Sequence, residues 1–253
     1  MFTKAIVRKP GISMVKGLTT AGLGKPDYAK ACKQHANYVR ALEECGLEVQ
    51  ILDADERFPD SVFVEDPALL TKRFALVTNP GASTRQGEAE TIKEVLGEFY
   101  ADIKEISHPG TLEGGDVLIV GDHFYIGLSA RTNRKGAEQA ISILEQFGMT
   151  GSVIKQNELL HLKTGISYLE NDIMIAIAVI ANHPQFQQYH IIQIPEEESY
   201  AANCVWINGT VLVPEGYPQT LQKIRDEGYE TVTLEMSEFR KVDGGLSCLS
   251  LRF

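Results

Sequence analysis

The strongest constraint on how this chain can fold is a unit that recurs along it: two short alternating segments joined by a tight turn, an amphipathic stretch, then one more alternating segment. Alternation with period two marks strands, and apolar residues at a 3.6 period mark helix. The first unit places strands over residues 61–65 and 74–78, a helix over 86–100 and a strand over 103–106. In the second, strands over 117–120 and 123–126 flank a Gly121-Asp122 turn and lead to a helix over 133–147 and a strand over 152–155. The third has strands over 165–169 and 173–178 around Glu170-Asn171-Asp172, a short polar segment, and a strand over 191–194. The fourth sets strands over 204–207 and 211–213 about Asn208-Gly209, whose residues tolerate the positive φ of a hairpin turn. A helix over 219–227 and a strand over 231–235 complete it.

The two ends are left unmatched. A strand over 247–251 lacks a neighbour in sequence, while the N-terminal part offers a strand over 4–8, a helix over 27–45 and a strand over 48–52. Joined, they make a fifth unit. Repeats whose last member is completed by both termini close into a ring of five α/β modules around an axis. At 253 residues and with no linker or low-complexity tract, residues 1–253 are expected to form one domain.

Composition narrows the function. A formal net charge of −10 argues against a nucleic-acid groove or an anionic membrane surface, and suits a cationic small molecule. Four cysteines without CxxC or Cys/His ligand spacing point to a reducing cytoplasm rather than a disulfide framework or zinc knuckle. The N-terminus lacks the apolar core of a signal peptide, and the apolar run over 173–181 is too short to span a bilayer.

Polar residues unusual for a core recur near the start of the first strand in four of these units. Asp60, Glu65 and Asp66 bracket the first, Glu113-Gly114-Gly115-Asp116 opens the second, His161 precedes the third, and Cys248, after Gly244-Gly245, lies on the closing one. In a ring such positions converge, which brings a nucleophile, a base and an acid together. Each residue also has an ordinary reading: Cys248 as a small buried hydrophobe, His161 as a core histidine, Glu-Gly-Gly-Asp as a turn, and Arg85 and Arg131 as solvated charges.

The strings Phe58-Pro59-Asp60-Ser61-Val62-Phe63-Val64-Glu65-Asp66-Pro67, Leu112-Glu113-Gly114-Gly115-Asp116, His161-Leu162-Lys163-Thr164, the run over 196–204 and the run over 243–252 together resemble the dimethylarginine dimethylaminohydrolase family in its short bacterial form. The resemblance covers essentially the whole chain. It implies the five-bladed α/β-propeller of the guanidine-modifying superfamily and hydrolysis of Nω-methylated arginines to citrulline plus methylamine or dimethylamine. It implies that Asp66 and Glu113 hold the guanidinium, that Cys248 attacks its central carbon to form a covalent thiouronium, and that His161 protonates the departing amine and then activates water. For the amino-acid end it implies Arg85 and Arg131 on the carboxylate, and Asp60 with the backbone carbonyls of Leu18 and Val242 on the amino group. Glu65 is a further carboxylate at the pocket, and residues 17–22 would form a mobile loop over it. No metal or organic cofactor is implied; zinc bound to such a Cys/His/Glu cluster would inhibit. A homodimer is compatible with the resemblance. Two alternatives stay open: an arginine deiminase or amidinotransferase of the same superfamily, and a non-catalytic scaffold of the same fold.

Overall fold

A computed structural model describes residues 1–156 and 159–253. Among these residues the chain runs through β1 (Lys4–Arg8), α1 (Tyr28–Glu44) and β2 (Glu48–Leu52), then four successive modules. They are β3 (Ala68–Leu70), β4 (Ala75–Val77), α2 (Glu88–Leu96) and β5 (Ile103–Glu105); β6 (Val117–Val120), β7 (His123–Leu128), α3 (Arg134–Gln146) and β8 (Thr150–Lys155); β9 (Ile166–Tyr168), β10 (Ile173–Ala176), α4 (Ala178–Ala181) and β11 (His190–Gln193); and β12 (Val205–Ile207), β13 (Thr210–Pro214), α5 (Pro218–Asp226) and β14 (Glu230–Leu234). A short α6 (Ser237–Arg240) and β15 (Leu251–Arg252) end the chain.

Each module builds a three-stranded sheet in which the first strand is antiparallel to the second and the third is parallel to it. The chemistry of the connections dictates that pattern. Tight turns such as Gly121, at φ 58, and Asn208-Gly209, at φ 51 and 102, can reverse a strand. A parallel return needs a crossover, and the helix supplies it. The fifth sheet, β15-β1-β2, takes its strands from both ends of the chain. Thr3 N and Lys4 N donate to Phe253 O, and Phe253 N donates to Lys4 O.

Alternation along the strands explains how five small sheets make one core. Leu69 and Leu76 face the second module, packing with Val117, Phe124 and Leu144, while Ala68, Leu70 and Val77 face Ile6 and Leu251 of the terminal sheet. Leu118 and Tyr125 turn toward Ile166 and Met174. Ile175 and Leu169 turn toward Val211 and Val213, and Leu212 turns on toward Val7, Tyr38 and Leu42. Five apolar clusters thus join neighbouring modules in succession, and the last returns to the first. Each fully buried aliphatic side chain contributes roughly 1.5–3 kcal/mol, so the joints are substantial. The architecture is the five-module α/β propeller expected from the repeat.

Several boundaries differ from expectation. Residues 61–65 are not a strand: Ser61 N bonds Phe58 O, Phe63 N bonds Asp60 O and Asp66 N bonds Phe63 O, so this stretch folds as successive turns and the strand starts after Pro67. The expected strand over 247–251 is also displaced. Ser247–Leu249 form a 3-10 turn, and β15 is confined to Leu251–Arg252. The short polar segment of the third module contains α4 and a further 3-10 turn, Pro184–Phe186. No helix among the described residues is long and apolar enough to cross a membrane.

Candidate active site

Because the first strands all lie near the axis, the residues that lead into them meet there. Glu65 and Asp66 precede β3, Glu113 precedes β6, His161 precedes β9, Asn203 precedes β12 and Cys248 precedes β15. Cys248 is therefore in the turn before the closing strand, not on it. A cavity of about 210 Å³ is lined by Cys248, His161, Glu65, Lys163, Thr20 and Asp243 among others. An adjoining one of about 40 Å³ is lined by Asp60, Asp66, Arg85, Glu113, Arg131, Leu18 and Val242. Cys248, His161 and Asp243 border both.

His161 is held at both ends. Its backbone N–H bonds Thr164 Oγ1 at 3.2 Å, and its Nε2 lies 2.7 Å from Glu113 Oε2. Gly115 backs the ring so closely that a Cβ there would come within 2.7 Å of His161 Nδ1. Burial alone would lower the imidazole pKa, but Asp66 and the Glu113 hydrogen bond outweigh it and raise it to about 9. His161 is then an imidazolium at neutral pH.

Asp66 is its anionic counterpart. It accepts Gly115 N at 2.9 Å and Arg85 Nη1 at 2.5 Å, with His161 Nε2 at 4.0 Å. Burial pushes against ionisation, and His161 and Arg85 overcome that, holding the carboxyl at about 2. Glu113, fully buried, accepts from Ala82 N at 3.1 Å through Oε1, which also lies 3.8 Å from Arg131 Nη1. Its other oxygen is the one His161 uses.

Cys248 is partly buried, and its sulfur accepts Gly245 N at 3.4 Å. Burial, followed by the carboxylates Glu65 and Asp66, pushes the thiol up to about 12. It is a neutral thiol in the unliganded site. The adjacent glycines serve packing more than access: a Cβ on Gly244 would strike the Phe63 ring at 2.2 Å, and one on Gly245 would meet Asn203 Oδ1 at 2.5 Å. Glu65 is tied to Lys163 Nζ and Ser247 Oγ, each at 2.7 Å, which anchors the Cys248 turn to the His161 turn.

Around the smaller cavity Asp60 accepts Leu18 N at 3.0 Å, and burial raises its pKa despite Arg85. Arg85 is more deeply committed than its expected role suggests. It is 4% exposed, pairs with Glu88 through Nε and Nη2, and reaches Asp66 and the carbonyl of Phe63. Of its five N–H groups, one on Nη1 has no partner among the described residues. Arg131 is less constrained, with 20% of its side chain exposed.

The sequence alone assigns no role to Glu88, Asp116, Lys163 or Asn203. Glu88 carried a usable signal, since a carboxylate three residues from Arg85 on a helical turn meets it. Asp116, in the Glu-Gly-Gly-Asp string, accepts Leu162 N at 3.0 Å and Ser129 Oγ at 2.6 Å, tying the His161 turn to the turn that carries Arg131. Asn203 bridges Lys163 O and Ser247.

Chemically, the site offers a thiol, an imidazolium and two buried carboxylates around one space. Carboxylate oxygens of Asp66 and Glu113 beside His161 suit a planar cation able to donate charge-assisted hydrogen bonds. Their donor atoms and the imidazole lie within 4.8 Å of one another, so a divalent ion would compete for the same groups.

Comparison with known proteins follows the same lines. A family profile described as "N,N dimethylarginine dimethylhydrolase, eukaryotic" matches residues 25–246. The N(G),N(G)-dimethylarginine dimethylaminohydrolase of Pseudomonas aeruginosa is 54% identical over 100% of both chains. That of Streptomyces coelicolor is 34% identical over 98% of this chain and 96% of its own. A solved structure of a cysteine-to-serine variant of the Pseudomonas enzyme, complexed with citrulline, superposes with a TM-score of 0.99 over 100% of both chains at 54% identity. The N-terminal domain of an arginine dihydrolase, ArgZ, shares the fold alone, at 19% identity with a TM-score of 0.87 over 100% of this chain and 97% of its own.

Proposed function

The chain belongs to the dimethylarginine dimethylaminohydrolase family, and from that premise we propose how its own residues hydrolyse Nω-methylated arginines to citrulline and methylamine or dimethylamine. The observation that carries the reading is the convergence of Cys248, the His161–Glu113 pair at 2.7 Å and buried Asp66 on adjoining cavities, with Arg131 and Asp60 beyond them.

A guanidinium resists attack because its charge is delocalised. Asp66 and Glu113 accept its N–H groups and set its central carbon against Cys248, so that a diffusive encounter becomes an oriented one. The arriving cation also offsets the carboxylates that keep the thiol protonated. The thiol proton leaves to solvent and the thiolate adds to the carbon. His161, as imidazolium, gives its proton to the methylated nitrogen, the C–N bond breaks, and the amine departs, leaving a thiouronium on Cys248. The now neutral His161 takes a proton from water as that water adds to the same carbon. Collapse breaks the C–S bond, the remaining hydroxyl proton passes through solvent to the departing sulfur, and the ureido group of citrulline is left beside the neutral Cys248 thiol and the His161 imidazolium.

At the amino-acid end, Arg131 and the free Nη1 hydrogen of Arg85 face the carboxylate, while Asp60 and the carbonyls of Leu18 and Val242 take the ammonium. Glu65 acts through Lys163 and Ser247, holding the two reactive turns together. Four free cysteines support a reducing compartment, the cytoplasm. A homodimer is supported by family likeness, and sedimentation of the purified chain tests it.

Citrulline release from asymmetric dimethylarginine, monomethylarginine and arginine tests the reading. Turnover of the methylated substrates is expected. Preferential turnover of arginine would make the chain a deiminase, and no turnover of any guanidine would leave a scaffold.

A further inference from the structure

Beyond the groups that face the substrate, one side chain on the lip of the cavity has no role in the reaction just described. Asp243 lies between α6 and the Cys248 turn and adopts φ 57, a left-handed conformation that L residues other than Asn and Asp rarely accept. Its carboxylate reaches back across 223 residues. It accepts Thr20 N at 2.6 Å and Thr20 Oγ1 at 3.0 Å, while Thr19 Oγ1 donates to the neighbouring Lys241 O at 2.7 Å.

The segment so gripped is the one over the site. Leu18 lines the smaller cavity, and Thr20 and Ala21 line the larger. One end of the segment is fixed where Leu18 N meets Asp60, and a Cβ on Gly17 would sit 2.8 Å from Asp60 Oδ1. The other end is fixed where Asp27 N meets Glu238 Oε2 at 2.7 Å. Between those anchors Gly22 and Gly24 have open space around them, and among the described residues Asp243 is the only side chain from outside the segment that hydrogen-bonds to residues 19–24.

We propose that Asp243 is a positioning residue that clamps residues 17–22 across the mouth of the cavity and so keeps Leu18 and Asp60 in place for the amino-acid end of the substrate. The role of Leu18 and Asp60 rests on the reading above; the clamp itself does not. Thr19 and Thr20 are exposed, so water competes for these hydrogen bonds and the clamp can release to admit substrate. Because the backbone of Asp243 follows Val242 and precedes Gly244, closing the segment also steadies the turn that leads to Cys248.

The test compares the wild type with Asp243→Gly, which tolerates the positive φ while removing the carboxylate, with Asp243→Asn, and with Thr20→Val. Amide exchange at Thr20 and Ala21 and iodoacetamide alkylation of Cys248 are measured without substrate, alongside KM and kcat for dimethylarginine. The clamp predicts exchange and alkylation faster by roughly tenfold in Asp243→Gly, KM raised by a similar factor with kcat less affected, and an unchanged melting temperature. Asp243→Asn, with one carbonyl oxygen left, falls between, and the effects of Asp243→Gly and Thr20→Val do not add. Unchanged exchange and alkylation in Asp243→Gly would overturn the clamp, whatever the activity does. A wild type that releases no citrulline would instead overturn the functional reading and leave the exchange result standing.

Discussion

Cys248 sits where carboxylates gather, and that makes its resting state a thiol. Burial, Glu65 and Asp66 hold its pKa near 12, while the same negative field, through Asp66 and Glu113, keeps His161 protonated up to about pH 9. Alkylation of Cys248 by iodoacetamide is therefore expected to be slow at neutral pH and to keep rising beyond pH 9; a plateau near pH 7 would mean a preformed thiolate. The raised histidine pKa also has a consequence for stability. Its contribution is fully present below the ordinary value of 6.5 and is lost as pH rises through about 9, so the urea midpoint is expected to fall across that window in the wild type and not in His161→Gln. For turnover, Cys248→Ser is expected to abolish citrulline release with no change in melting, and His161→Ala to lower the rate by about 100-fold or more while substrate still binds. Near-normal rates in His161→Ala would remove it from the chemistry. That Cys248, His161, Glu113 and Asp66 come together was legible, because polar residues are rare where a chain enters core strands and a closed ring makes such positions converge. The state of the thiol was not legible, since it depends on distances to Glu65 and Asp66 that only the closed ring creates.

At the scale of elements, helix termini and turns matter more than strands. The first turn of α2 presents Glu88 to Arg85, and this buried bidentate pair fixes which face of the guanidinium meets the cavity. Burial raises the Glu88 carboxyl pKa to about 7 and Arg85 keeps Asp66 as a partner, so Glu88→Gln is expected to lower stability by only about 1 kcal/mol and to raise KM for dimethylarginine more than it lowers kcat. Kinetic constants unchanged from wild type would show that Arg85 needs no such orientation. The expected strand at 61–65 failed for a physical reason: alternation in Ser-Val-Phe-Val-Glu reads as strand, but Asp60, Phe63 and Asp66 close turns that deliver three carboxylates to the axis. The same holds at the C-terminus, where the turn Ser247–Leu249 takes residues from the expected strand so that Cys248 faces the cavity. Both misreadings fall at the site, where local preference yields to function.

At the scale of the whole molecule, the ring was readable from the repeat because every module has the same order of turns and crossover, and the two ends supplied the missing pieces. Closure rests on β15 pairing with β1 and on Ile6 and Leu251 packing against the first module, not on the position of the chain ends. A circular permutant that joins the present termini through a short linker and opens at the exposed Gly121-Asp122 turn is thus expected to fold and keep its activity. Loss of folding would show that the order of synthesis, rather than the closed set of joints, stabilises the ring. In the mechanism we propose, the ring places a thiol, an imidazolium and two carboxylates from distant parts of the chain around one guanidinium. That claim is tested most directly by acid-quenching a single turnover of dimethylarginine and mapping covalent adducts by mass spectrometry of the digested protein. The account predicts a transient adduct on the peptide containing Cys248, which disappears as citrulline forms and never forms in Cys248→Ser. Citrulline released at the wild-type rate with no adduct on Cys248, or with an adduct on another residue, would contradict it.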